Sequence, residues 1–439
     1  MVSGAVRVVL APDSFKGSLT AAEVAAALAR GWRSARLDDD VVEAPLADGG
    51  EGTLDAFERA VPGAVRHLLT VTGPDGRPAN ASWLALPDGT AVVELACASG
   101  LTLLEAPAPL DAHTRGVGEV ARAALATAPR RLVVALGGSA STDGGAGLLR
   151  ALGARVTDGD GAAVPDGGRG LARVVSVDLS ALPALPPGGV DVLCDVTNPL
   201  LGRTGAAAVF GPQKGATPDD VVLLDAALAR WADALGRAAA RDVDVPRGTA
   251  AAAPGVVLAS SEGRAGETGR SALTVVDPAL AGAGAAGGTA FGLLAWGARL
   301  VPGASAVADV VGLDAMLEGA DLVVTGEGRL DAQSAAGKAP AEVARRAARA
   351  SVRVALVVGS AEAGAADALA HDAHDALTPD VRTLGVGTPD VGTPHDRAPG
   401  APVAPEVVEL TRLAGSPEAS LADPARWLEA AAAALAART

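Results

Sequence analysis

Apolar and polar positions alternate along the first sixty residues in two textures. Val6 to Ala11 is a short β-rich run, and Val41 to Leu46 is another. Between them Thr20-Ala21-Ala22-Glu23 forms a capping box that opens an Ala/Leu-rich helix ending near Arg33. A further helix is expected over Thr53 to Ala60. Strand–helix alternation of this kind predicts a parallel sheet covered by helices. Near residue 63 the texture changes. Val65–Thr72, Asn80–Leu86 and Ala91–Leu95 read as short strands split by Asp75-Gly76 and Asp88-Gly89 turns, an antiparallel meander. A helix over about 115–126, strands at Leu132–Leu136 and Val190–Asp195, and a helix opened by Thr217-Pro218 and running to about Arg241 follow. Residues 242–280 are irregular and rich in small residues, which suggests a surface excursion. From about 282 the alternation returns, with a helix near 289–297, a strand at Leu322–Thr325, a helix starting at Pro340 and a strand at Val352–Val358. The proline-rich stretch 386–405 reads as loop, and Asp423-Pro424 caps a closing helix.

The expected class is α/β. Residues 1–64 and 283–439 would form a discontinuous parallel-sheet domain of Rossmann or flavodoxin type. An α+β domain, 65–282, would be inserted into it. Ligands in such sheets bind beside the carboxyl ends of the strands.

Bulk composition narrows the function. The 439 residues are 49% hydrophobic and 20% charged, which is a globular chain with room for two cores. Net charge is −15 and no long basic stripe occurs, so no nucleic-acid partner is expected. The first residues carry no basic leader with an apolar stretch behind it, and no run of ~18 uncharged apolar residues appears. A cytoplasmic protein without a membrane span is the expectation. Cys97 and Cys194 sit in apolar strand-like runs and read as two reduced thiols.

Three lysines stand against 33 arginines (36 Lys+Arg minus 3 Lys), while isoleucine and tyrosine are absent. A bias that strong leaves lysine where arginine will not serve. Lysine is a compact, rotatable point charge suited to close work beside a phosphoryl group. Each of the three touches a glycine, in Phe15-Lys16-Gly17, Gln213-Lys214-Gly215 and Gly337-Lys338.

Five turns follow apolar strands and gather the chemistry. The first is Ala11-Pro12-Asp13-Ser14-Phe15-Lys16-Gly17-Ser18, before a helix, which suits an anion. Two more share the string Asp-Gly-Gly-x-Gly-x-Leu, at Asp48–Leu54 and Asp143–Leu149; Glu51 lies inside the former, and Gly137, Gly138 and Ser139 lead into the latter. In each, a carboxylate stands at a strand-to-helix corner and glycines let a ligand approach backbone amides. The plainer function of such an Asp is to cap the helix. The fourth turn runs from Asp195 through Asn198, with Lys214 following, and an Asp at a strand end suits Mg²⁺ or a general base. The fifth holds Glu327, Arg329, Asp331 and Gln333 and closes on Lys338. Gly282–Gly287 also matches a dinucleotide fingerprint, but a lone match is weak. His67 and His113 sit in no catalytic pattern.

Taken together, APDSFKGSLTA, PLADGGEGTLDA, ALGGSASTDGGAGLLRALGA, CDVTNPLLG with AVFGPQKGAT, GAGAAGGTAFGLLAWGA and DLVVTGEGRLDAQSAAGK resemble the bacterial glycerate kinase family. They cover 6–240 and 282–360 in the expected order. The resemblance implies ATP- and Mg²⁺-dependent phosphorylation of D-glycerate, a small-molecule partner. The product would be 2-phosphoglycerate, with 3-phosphoglycerate the alternative. It further implies a two-domain build with the active site in the cleft. Physical reading of the turns supplies roles. Lys16, Ser14 and the glycines at 137, 138, 144 and 145 would cradle phosphates, with Ser139, Asp143 and Glu327 on the nucleotide side. Asp195, with Asp48 or Glu51, would hold Mg²⁺. Asp13 or Asp195 would accept the hydroxyl proton. Arg329, Lys214 and Lys338 would hold the glycerate carboxylate or neutralise the γ-phosphate, with Asn198, Asp331 and Gln333 nearby. An NAD-dependent hydroxyacid dehydrogenase built on Gly282–Gly287, or a non-catalytic sugar-acid binding protein, are the competing readings. A monomer or homodimer is expected.

Overall fold

The computed structural model describes residues 4–242, 276–331, 338–375 and 405–439. Gln333, most of the irregular 242–280 stretch and nearly all of the 386–405 loop lie outside them. The chain packs as two compact units: Met1–Asp48, Asp55–Val61 and Pro302–Thr439 form the first, and Gly49–Leu54 with Pro62–Val301 the second.

The first unit is built on a five-stranded parallel sheet. Its strand order is Glu406–Glu409, Arg353–Val358, Leu322–Thr325, Arg7–Leu10, Asp40–Glu43. A central strand of a helix-covered parallel sheet is buried on both faces, so it reads as a continuous apolar run. Val8, Val9 and Leu10 are accordingly all buried. The Ala21–Ala35 helix starts with the expected capping box: Glu23 N donates to Thr20 Oγ1 at 3.2 Å, and Thr20 N to Glu23 Oε2 at 2.9 Å. Its partner is the closing helix Pro424–Ala436, capped by Asp423. The two helices approach so closely that a Cβ on Gly31 would lie 2.1 Å from the Glu429 carbonyl oxygen. Glycine is required there by backbone contact.

The second unit holds a six-stranded mixed sheet, ordered Arg299–Val301, Val190–Leu193, Arg131–Ala135, Thr90–Glu94, Pro78–Ala85, Val65–Thr72. The first four strands are parallel, and the last three form the expected antiparallel meander. On its faces lie the helices Arg115–Leu125, Pro218–Asp242 and Ala285–Trp296, whose Trp231, Phe291 and Trp296 fill the core. Residues 283–301 therefore pack within this unit, although the alternation of elements suggests they rejoin the first. A separate two-stranded antiparallel sheet, Arg155–Thr157 with Ser176–Asp178, is not foretold by the pattern.

No described helix is long and apolar enough to cross a membrane. Both cysteines are free, and burial pushes each thiol up to about 11, so they are protonated and inert at neutral pH. His67 stacks on Trp83 across the meander at 4.2 Å between ring centres.

Candidate active site

Three adjacent parallel strands of the first unit set the site. From the end of Arg7–Leu10 the chain continues in register with both neighbours. Ala11 N donates to Val324 O at 2.8 Å and Asp13 N to Gly326 O at 2.9 Å on one side. On the other, Ala44 N donates to Leu10 O at 2.8 Å and Leu46 N to Pro12 O at 2.9 Å. Zipped in this way, the three carboxyl ends deliver Asp13, Asp48 and Glu327 to one neighbourhood, the place where open α/β sheets take ligands. Gly326 makes the close approach possible, because a Cβ there would fall 1.7 Å from Val357 O.

Lys16 Nζ stands 3.6 Å from Asp48 Oδ2. The Asp48 charge, followed by those of Asp13 and Glu327, raises the lysine pKa, so the ammonium is held charged. Asp13 is buried at 3% exposure. Burial first, and then the Asp48 charge, pushes its carboxyl up to about 8, with Lys16 pulling the other way. A carboxyl poised near neutrality is the form a general base takes in phosphoryl or proton transfer. Ser14 donates its amide to Asp13 Oδ1 at 2.6 Å, while its own hydroxyl is buried without a hydrogen-bond partner among the described residues. A buried unsatisfied hydroxyl costs stability and marks a place for a ligand atom.

The donor set fits a hard cation. Two or three carboxylates crowd one lysine, and after burial the Asp48 charge is what raises the Asp13 carboxyl. Among the described residues no three acidic, His or Cys side chains close a ready-made cage. Mg²⁺ is commonly held by only one or two carboxylates together with phosphate oxygens.

The remaining candidates of the first unit behave differently. Arg329 is two-thirds exposed and reaches Glu362 at 2.5 Å and Asp331 at 4.0 Å. Glu362, which no motif singles out, thus sets the direction of that guanidinium. Lys338 is half-buried and occupies the cap position of helix Ala339–Ala350, whose amino end favours an anion. Gln333 lies outside the described residues.

In the second unit the glycine-rich turn is held from within. Asp143 is fully buried, and its carboxylate accepts from Thr114 N, Thr114 Oγ1 and Gly147 N on Oδ2 and from Gly145 N on Oδ1, at 2.8–3.1 Å. Gly144 N donates to Gly287 O at 3.0 Å, and Gly137 N to Gly49 O at 3.4 Å. These amides and the carboxylate are therefore engaged in building the turn. A Cβ on Gly137 would lie 2.3 Å from Gly50 Cα, so glycine there serves backbone packing. The chain passes through three successive left-handed residues at Ala286, Gly287 and Gly288, and a Cβ on Gly287 would meet Ser141 O at 2.1 Å. The Gly282–Gly287 fingerprint is a turn that no strand directly precedes, and its Gly284 is pressed against Pro199 O. That removes the structural context a dinucleotide site requires.

Lys214 is 2% exposed, and its ammonium donates to Ser141 O. Burial lowers its pKa to about 8, with Asp143 acting in the opposite sense. Its charge is thus turned inward to hold the Ser139–Thr142 segment. Ser139 Oγ joins the same segment through Ser141 Oγ at 3.3 Å and Ala286 O at 3.4 Å. Thr142 Oγ1 is buried without a hydrogen-bond partner among the described residues. Thr142 is one of the three hydroxyls of this turn, and a Ser/Thr-rich run carries no signal that singles it out. Asp195 and Asn198 are half-buried beyond the strand Val190–Leu193; Asn198 Nδ2 donates to Thr204 O at 2.8 Å. Glu51 is exposed.

Comparison with known proteins supplies the identity of this arrangement. The glycerate kinase family model matches residues 8–384. Glycerate 2-kinase of Escherichia coli K12 is 40% identical over 360 residues, 81% of this chain and 85% of that protein. Glycerate kinase of Bacillus subtilis 168 is 39% identical over 359 residues, again 81% and 85%. A crystal structure of a candidate glycerate kinase 2 from Salmonella typhimurium LT2 superposes with a TM-score of 0.66 at 35% identity, covering 99% of this chain and 98% of the other. With the family model spanning the strand ends and turns described above, the chain belongs to the glycerate kinase family.

Proposed function

We propose that the enzyme transfers the γ-phosphoryl group of ATP to D-glycerate and releases 2-phosphoglycerate and ADP. Family membership makes it a kinase, a phosphotransferase with an alcohol acceptor. The relative named glycerate 2-kinase favours the 2-position over the 3-position. The observation that carries the reading is the cluster of Lys16, Asp48, Asp13 and Glu327 at the ends of three neighbouring parallel strands.

Phosphoryl transfer needs positioning and charge neutralisation more than covalent chemistry. In its ionised form Asp13 accepts the proton of the glycerate hydroxyl as that oxygen attacks phosphorus. Lys16, with the Ser14 hydroxyl beside it, faces the phosphate oxygens and offsets the charge that builds on them. Mg²⁺, when bound, would neutralise the same oxygens. Asp48 is its candidate ligand in the first unit. Lys338 at its helix start and Arg329 are assigned to the substrate carboxylate, with Asp331 as a polar neighbour. Lys214 and Asp143 act by holding the Gly137–Gly147 turn, in which Gly138 and Ser139 are assigned to the nucleotide. A cytoplasmic location is supported by the two free thiols.

Following ADP release with D-glycerate and with D-lactate tests the reading. ADP should appear with glycerate and depend on added Mg²⁺. Tight glycerate binding with no ADP, or nicotinamide reduction in its place, would contradict it.

A further inference from the structure

Arg115, Arg150 and Arg155 line one cavity of about 310 Å³ in the second unit, together with Ala154, Val156 and Thr157. Among the described residues its lining carries no carboxylate, although the whole chain bears a net charge of −15. Three guanidinium groups do not share a small space without a reason, because like charges repel. Here the reason is visible for two of them. Asp166 stands behind the wall and pins both, with Arg150 Nη1 at 2.5 Å from Oδ1 and Arg115 Nη1 at 3.4 Å from Oδ2. Glu119 steadies Arg115 from its own helix at 3.3 Å. Arg155 comes from the Arg155–Thr157 strand, paired opposite Asp178, and is exposed.

Each guanidinium has five donors in a planar fork, and these ion pairs engage only a few of them. Two forks held side by side present the bidentate geometry that phosphate oxygens accept. The third cation and the apolar surfaces of Ala154 and Val156 match a short carbon chain ending in a second anionic group. The frame is rigid as well. Asp158 closes the turn after the Arg155–Thr157 strand by accepting from Asp160 N and Ala162 N at 3.0–3.1 Å, and Arg173 holds it at 2.7 Å. A cavity of this size is at the lower limit for small-molecule sites, which suits a metabolite of roughly ten heavy atoms.

We propose that this cavity is a second anion site, built from residues other than those of the reacting cluster, and that it binds a small phosphorylated carboxylic acid. Regulation by a metabolite chemically akin to the reaction's product would be its use. The site stands on the second unit alone, so it does not depend on the mechanism assigned above.

Isothermal titration of the full chain with phosphoenolpyruvate, which has no free alcohol to be phosphorylated, tests the proposal. One molecule should bind per chain. Arg155→Gln and Arg150→Gln should each weaken binding at least tenfold, whereas Lys16→Met should leave it unchanged. Arg155→Gln, at an exposed position, should keep wild-type thermal stability and wild-type ADP release with glycerate. Inorganic phosphate and malonate should both bind at least tenfold more weakly than phosphoenolpyruvate. Absence of binding, binding unaffected by Arg155→Gln, binding lost in Lys16→Met, or equal affinity for malonate or inorganic phosphate would each overturn it.

Discussion

Lys16 and Asp48 form an ion pair at 3.6 Å between loops that leave two adjacent parallel strands. Because the lysine side chain is 63% exposed, the pair adds little to folding, at most about 1 kcal/mol. Its value is in placing a charge where phosphate oxygens develop theirs. Lys16→Met is therefore expected to lower kcat by about 10²–10³ while the denaturation midpoint hardly moves. Lys16→Arg should restore only a small part, since a planar fork does not replace a point charge. Steady-state ADP release beside urea melts checks both.

Asp13 gives the pH dependence its sign. Its folded-state pKa, about 8, lies above the unfolded value of 3.8. Folded protein thus holds the proton more tightly, so this group's contribution to stability is complete below about pH 4 and is lost as pH rises through about 8. Asp13→Asn stays neutral throughout. The stability difference between variant and wild type should shift steadily in favour of the variant from pH 5 to pH 8 and level off above that. Urea melts at pH 5, 6.5, 8 and 9 read it directly, and a pH-independent difference would refute the assignment. Turnover of the variant should be lost at every pH.

Asp143 is a different case despite an identical local string. With four donors on a buried carboxylate, Asp143→Asn places an amide NH₂ against N–H groups. A loss of about 2–4 kcal/mol is expected, with activity falling only as far as the folded fraction does at low denaturant. Denaturation monitored by tryptophan fluorescence measures the first, and specific activity per folded molecule the second.

Gly287→Ala should be far more disruptive than a methyl at an open glycine. The residue has φ +65° and a Cβ there would lie 2.1 Å from Ser141 O, whereas Gly319 has φ +72° with open space around it. The Gly319 substitution carries conformational strain alone, about 1–2 kcal/mol. Gly287→Ala is expected to exceed 3 kcal/mol or to prevent accumulation of folded protein. Thermal melts of the two purified variants make the comparison.

Much of the fold is legible in the chain because its signals are local. The capping box at Thr20, the Asp-Gly turns of the meander and the Asp423 cap each specify geometry within four residues, and the structure has them where the pattern puts them. The helix Ala285–Trp296 illustrates the limit. Apolar nearly all round, it has no face to announce which unit buries it, and tertiary packing places it in the second. The site divides in the same way. Parallel strand ends make the neighbourhood of Asp13, Asp48 and Glu327 foreseeable from strand–turn order. By contrast, Asp48 and Asp143 occupy equivalent positions of one repeated string, yet one pairs with Lys16 and the other is locked by Thr114. That difference comes from residues distant in sequence. Lys214 shows it again: rarity flags the residue, but only burial reveals that its ammonium is turned onto Ser141 O.

The central claim is that this chain moves a phosphoryl group onto glycerate. Phosphorus NMR of a reaction containing the purified protein, D-glycerate, ATP and Mg²⁺ tests it most directly. The account predicts loss of the γ-phosphate signal and matched growth of ADP and of one new phosphate-ester resonance, split by the proton on C2 as in 2-phosphoglycerate. An ester split by the C3 methylene would place the transfer on the other hydroxyl. An ATP spectrum unchanged by glycerate would contradict the account.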